Sequence, residues 1–224
     1  MKTTRTLVIS LAMALLSAPL LSGQDLTRYR KFSLGTSLAA VSKQVGQDSR
    51  QATLIHERPA VIQTLTDWPL DTSGGAVRMD PVSQIVFTFC NGELFKMVVT
   101  YDNHAIEGLT EDDMVRAISG RYGTGTRLYP EINLPTHEVY EPRDTVIARW
   151  DDPQNSVSLI RSGIRESFEL VVLSKRLDAE ARASSIESVR LDQEEAPQKE
   201  IDRKKKEVDD LEVARQANQK TFRP

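Results

Sequence analysis

The residues able to do chemistry are few and scattered. Three histidines, His56, His104 and His137, fall in different stretches without the HxxxH-type spacing that would set two imidazoles on one helical face as metal ligands. The densest group of possible ligands is Asp102-Asn103-His104 with Glu107, from which a hydrolase site could in principle be assembled. It occupies a polar link between two apolar stretches, where the same residue types make a solvated loop. Asp151 and Asp152 are adjacent carboxylates that could serve as an acid/base pair, but Asp-Asp-Pro after an apolar run is also ordinary turn chemistry. No GxSxG motif and no paired Cys/His nucleophile occurs. The glycines of Gly120-Arg121-Tyr122-Gly123-Thr124-Gly125 close a helical pattern instead of opening one, so their amides are not aimed at a phosphate. The expectation is a non-enzyme with no catalytic residue, no metal and no cofactor.

Composition narrows the class further. A net charge of −3 gives no electrostatic footing for nucleic acid, and a hydrophobic share of 39% is lean enough to imply an exposed fraction. Lys2 and Arg5 precede the apolar run Leu7 to Leu16, with small residues at Ser22 and Gly23, which reads as a secretory signal peptide over 1–23. The run is short of the roughly 20 apolar residues that a membrane span requires. A periplasmic or secreted location follows, with no stable membrane span once the signal is cleaved. Cys90 is the single cysteine, so no disulfide forms within the chain, and a small core residue is its simplest role.

The strongest structural signal is Asp80 to Tyr101, two β-rich runs about Asn91-Gly92 that predict a hairpin. If Ile85, Phe87 and Phe89 share a face with Phe95, Met97 and Val99, then Phe89 stands opposite Phe95 across a three-residue loop, Asn91 to Glu93. A copy follows from Asp152, where Val157 and Leu159 answer Ile85 and Phe87, and Phe168, Leu170 and Val172 answer Phe95, Met97 and Val99. Ahead of each hairpin stands a short capped helix. Ser37 precedes Leu38, Val41 and Val45 with Gly46 behind; Thr110 precedes Glu111-Asp112-Asp113, then Met114, Val115, Ile118 and Tyr122 with Gly123 behind. Between helix and hairpin come strands ending in Trp68 and Trp150.

Four matches in one order predict an α+β chain: two tandem helix-on-antiparallel-sheet units over 24–107 and 108–174, followed by a long helical C-terminal tail over 175–224. The tail has no glycine and many charges, with opposite-charge pairs four apart such as Asp178 with Arg182 and Glu200 with Lys204. Pro197 stands where a second helix could begin. The tail is expected to project into solvent. Ile201, Val208 and Leu211 start a heptad seam in it that could pair as a coiled coil in a homo-oligomer.

At the first helix, Gly35-Thr36-Ser37-Leu38 with Val41 and Val45-Gly46 resembles the motif that opens the small lipoprotein subunit of the outer-membrane β-barrel assembly machinery. Two such units in tandem look like the architecture of the β-lactamase inhibitor proteins. The ending Asn218 to Pro224 looks like that of uncharacterised secreted bacterial proteins. The resemblance spans roughly Phe32 to Ser174, and the chain lacks both the lipid-bearing cysteine of the first family and the paired disulfides of the second. It implies a bacterial, non-catalytic, exported module that binds another envelope or secreted protein through sheet surfaces, or a secreted enzyme inhibitor. With Phe87, Phe89, Phe95 and Met97 under the first helix, the opposite hairpin face, Val86, Thr88, Lys96 and Val98, is the expected partner-binding surface.

Overall fold

The computed structural model describes residues 25–69, 80–128, 144–163 and 167–223. The signal-peptide reading over 1–23 and His137 lie outside them. The chain begins with a two-residue ribbon, β1 (Arg28–Tyr29) and β2 (Phe32–Ser33), and then runs through α1 (Leu38–Val45), β3 (Thr53–His56), β4 (Ile62–Asp67), β5 (Val82–Cys90) and β6 (Glu93–Tyr101). It continues with α2 (Glu111–Tyr122), β7 (Thr126–Arg127), β8 (Thr145–Asp151), β9 (Asn155–Arg161), β10 (Phe168–Ser174) and α3 (Lys175–Thr221). β3 to β10 form one antiparallel eight-stranded sheet in the order β3-β4-β5-β6-β10-β9-β8-β7.

Both short helices form where their caps predict them. The Ser37 side chain accepts from the Ala40 amide, and Gly46 ends α1 at φ 74°, a left-handed conformation that glycine adopts without strain. Thr110 and Asp113 make a reciprocal capping box, and all four residues expected on the apolar face of α2, Met114, Val115, Ile118 and Tyr122, are buried.

The hairpin differs from the expected register. Asn91 and Gly92 both take positive φ, 50° and 79°, and Cys90 pairs with Glu93, so the loop has two residues instead of three. The register then slips between Thr88 and Phe89: Phe89 pairs with Leu94, while Phe87 pairs with Met97. This bulge adds one residue to β6 and turns Phe95 to the other face of the sheet, where it packs with Cys90 and Ile62. The tight loop and the apolar pairing of Phe87 with Met97 are thus both kept, and Phe95 is not part of the floor under α1.

The two faces are covered from different sides. Phe87, Phe89, Met97, Val99, Leu159 and Leu170 pack with Val41 of α1 and Met114 and Tyr122 of α2 in one large cluster. The other face carries a smaller cluster in which Ile62, Cys90, Phe95, Ile160, Val171 and Leu173 meet Leu177 and Ala181 of α3. α3 is one 47-residue helix with Pro197 inside it, not two helices. Nor does it project along its whole length. Leu177, Asp178, Ala181, Ser184 and Ser188 are buried along one helical face, which lays its first four turns on the body.

Candidate partner-binding face

The four residues expected to meet a partner lie on β5 and β6, on the side of the sheet that α3 crosses. Thr88 and Lys96 pair across the hairpin, as do Val86 and Val98. Thr88 is buried, and Val86, Lys96 and Val98 are half-buried, with Val98 packed against the cluster that holds Leu177 and Ala181. Burial pulls the Lys96 ammonium below its usual value, against Asp178 of α3, which favours the charge, and with Arg182, which opposes it. Asp178 is 3% exposed and its carboxylate lies 2.6 Å from the Arg182 guanidinium. The Lys96 and Val98 part of the face therefore lies against the chain's own helix, a packing that the sparse apolar content of the tail did not suggest.

At the far end of this contact Arg58, in the bend between β3 and β4, holds α3 with a fork. Its Nη1 and Nη2 each donate to Glu195 at 2.6 Å, and Nη2 also reaches Asp192 at 3.1 Å. Arg58, seconded by Lys199, holds the Glu195 carboxyl at about 2, well below its ordinary value. Beyond Glu195 the helix leaves the body: residues 196–223 are exposed apart from the half-buried Glu200 and Glu212.

The residues with chemical potential do not converge. The Asp102 carboxylate accepts the His104 and Ala105 amides at 2.9 and 3.0 Å, which shapes its own turn, and His104 and Glu107 are exposed beside it. His56 ends the edge strand β3, and His137 lies outside the described residues. Asp152 likewise accepts the Gln154 and Asn155 amides at 2.7 and 2.6 Å, while Asp151 pairs with Lys175 at 2.9 Å. Among the described residues no three His, Cys, Asp or Glu side chains come together as a metal site, and no helix is long and apolar enough to cross a membrane.

Two features were not foreseen from the sequence. A cleft of about 410 Å³ lies between the β1–β2 ribbon, α1 and the ends of β4 and β5, lined by Arg30, Lys31, Phe32, Asp67 and Asp80 among others. Arg30 and Asp80 close one wall as a bidentate pair at 2.7 Å, and burial raises the Asp67 carboxyl against the pull of Lys31. The cleft joins residues fifty positions apart, which leaves no local sequence signal. The second is the edge strand β3, where Leu54 and Ile55 are each 50% exposed. Its place at the sheet edge depends on the strand order, which no local stretch of sequence carries. The chain matches no protein-family model, no curated protein and no solved structure.

Proposed function

We propose that this protein is a non-catalytic, exported binding module of the bacterial cell envelope, two tandem helix-on-sheet units that engage a partner protein, with the distal part of α3 as its spacer or docking arm. One observation carries the reading. Residues 196–221 continue α3 for roughly 40 Å without packing on the body. A helix that buries none of itself adds nothing to the core, so its work lies outside the fold. It is kept helical by its own ion pairs: Arg203 bridges Glu200 and Glu207 at 2.8 and 2.6 Å, and Arg215 holds Glu212 at 2.7 Å. The sheet supports the two-unit reading, since helix, two strands and a hairpin recur in the same order and the halves meet through β6 and β10.

Site-specific photo-cross-linking tests this. A cross-linking residue is placed at Val98 on the sheet face and, separately, at Ile201 on the arm, and is activated in the native envelope. A discrete adduct is expected from one of the two positions, and its absence from both overturns the reading.

A scaffold built on the tail is the second reading, favoured by Ile201, Val208 and Leu211, which stand at heptad spacing with 59%, 65% and 71% of their surfaces exposed. Light scattering on the full chain and on a chain ending at Ala196 decides it. A full-length mass equal to one chain removes the scaffold.

A further inference from the structure

The two faces of the sheet are sealed by different chemistry. Under α1 and α2 the contact is made of large apolar side chains, Phe87, Met97, Met114 and Tyr122 among them. Under α3 the helix contributes two apolar residues, Leu177 and Ala181, beside three polar ones, Asp178, Ser184 and Ser188, while its own Ile186 and Val189 point to solvent at 74% and 51% exposure. Small and polar groups gain little from burial, and water can replace their contacts when they part. Charge does the rest of the fastening. Lys96 on the sheet interacts electrostatically with Asp178 and Arg182, Lys175 holds the Asp151 carboxylate and the Asp152 carbonyl at 2.9 and 2.8 Å, and Arg58 grips Glu195 and Asp192. Between these fastenings α3 follows β10 with no linker, Ser174 being extended at φ −87°, ψ 112°.

The geometry points to residues 175–195 of α3 as a strap that lifts from the sheet as a unit about Ser174, with Arg58 as its clasp, and that in its closed position masks the Lys96 and Val98 part of the hairpin face from a partner protein. Masking of a partner surface rests on the binding-module reading; the lifting of the strap does not. Weakly packed elements with many exposed polar fastenings open at lower free energy than the core around them. α3 runs unbroken from the strap into the exposed arm, so a protein that takes hold of the arm acts on the strap.

Cys90 reports on this motion without any engineered label. It is 1% exposed, lies in the cluster with Leu177 and Ala181, and its thiol feels Glu180 and Arg176 of the strap. The experiment measures the rate at which iodoacetamide alkylates Cys90 in the folded, full-length protein, for the natural chain, for Arg58→Glu, and for the charge swap Arg58→Glu with Glu195→Arg. Losing an exposed ion-pair network should raise the alkylation rate about fivefold in Arg58→Glu, and the swap should bring it back toward the natural rate. In all three the rate should change little with sub-denaturing urea, because lifting the strap exposes little surface, whereas access to Cys90 through global unfolding rises steeply with urea. An unchanged rate in Arg58→Glu overturns the strap, as does a rate that climbs with urea as steeply as global unfolding does. If the rate rises but cross-linking from Val98 in the native envelope does not, the strap stands and the sheet face is not the partner site.

Discussion

Trp150 fixes the turn after α2 through a single side chain. Its indole Nε1 donates to the Gly123 carbonyl at 2.8 Å, and a Cβ built on Gly125 would stand 2.5 Å from the ring. Gly125 is therefore required by close approach, not by an unusual φ. Gly125→Ala should destabilise the fold by about 2 kcal/mol, because an overfilled contact pushes a buried ring off its seat. Urea unfolding followed by tryptophan fluorescence measures it, and a shift within error of zero would show that the ring can give way. Trp68 matches Trp150 in the sequence repeat but not in role: it follows the end of β4 and is 64% exposed. The reason is a register shift in β8 between Val146 and Ala148, which puts Ile147, Ala148 and Trp150 all into the large cluster. A one-residue slip is invisible in spacing, since the same residues simply face the other way.

Three tyrosines tie the β1–β2 ribbon, β6 and α2 into one body. The Tyr122 hydroxyl donates to the Arg28 carbonyl at 2.7 Å, and Tyr29 and Tyr101 lie close enough to influence each other's ionisation. Burial pushes all three phenols above the ordinary value of 10.0, with Arg30 working against it at Tyr29 and Tyr101 and Arg121 at Tyr122. A group whose pKa is raised by folding contributes stability that is complete below its unfolded pKa and is lost as pH rises toward its folded value. Stability of the body should accordingly hold up to about pH 10 and decline above it. The tyrosinate absorbance of these residues should appear together with loss of the sheet circular dichroism signal. Their ionisation at ordinary pH with the sheet intact would dismiss this account. At this scale the sequence was most readable where caps punctuate it, as at Ser37 and Gly46 or Thr110 and Gly123, because a cap acts within one turn. It was least readable at Pro197, where a proline that suits a helix start is carried inside a continuous helix.

The whole molecule is a sheet with a dense side, a strapped side and an arm. Because the arm buries no core residue, a chain ending at Ala196 should keep the urea midpoint of the full protein to within about 0.2 M while losing helical signal. Ending the chain at Ser174 should lower the midpoint clearly, since it removes Leu177 and Ala181 from Cys90, Phe95 and Val171. Equal effects of the two truncations would mean that the arm is part of the folding unit after all. The two halves join through antiparallel pairing of β6 with β10, centred where Val98 stands opposite Val171. Each half thereby supplies an edge that the other covers, which removes two exposed strand edges from the interior of the sheet.

Local chemistry determined a good deal of this protein from the sequence alone: the two capped helices, their apolar faces, the hairpin about Asn91-Gly92 and its copy, and the helical character of the tail. These depend on residues within a few positions of one another, so the sequence contains their cause. Only the tertiary structure decided that the two four-strand runs share one sheet, that bulges turn Phe95 and Trp150 to the faces they occupy, and that the start of the tail packs against Lys96 and Val98. Those outcomes depend on pairings between distant strands and on contacts such as Arg58 with Glu195, 137 positions apart, whose partners carry no local mark of each other.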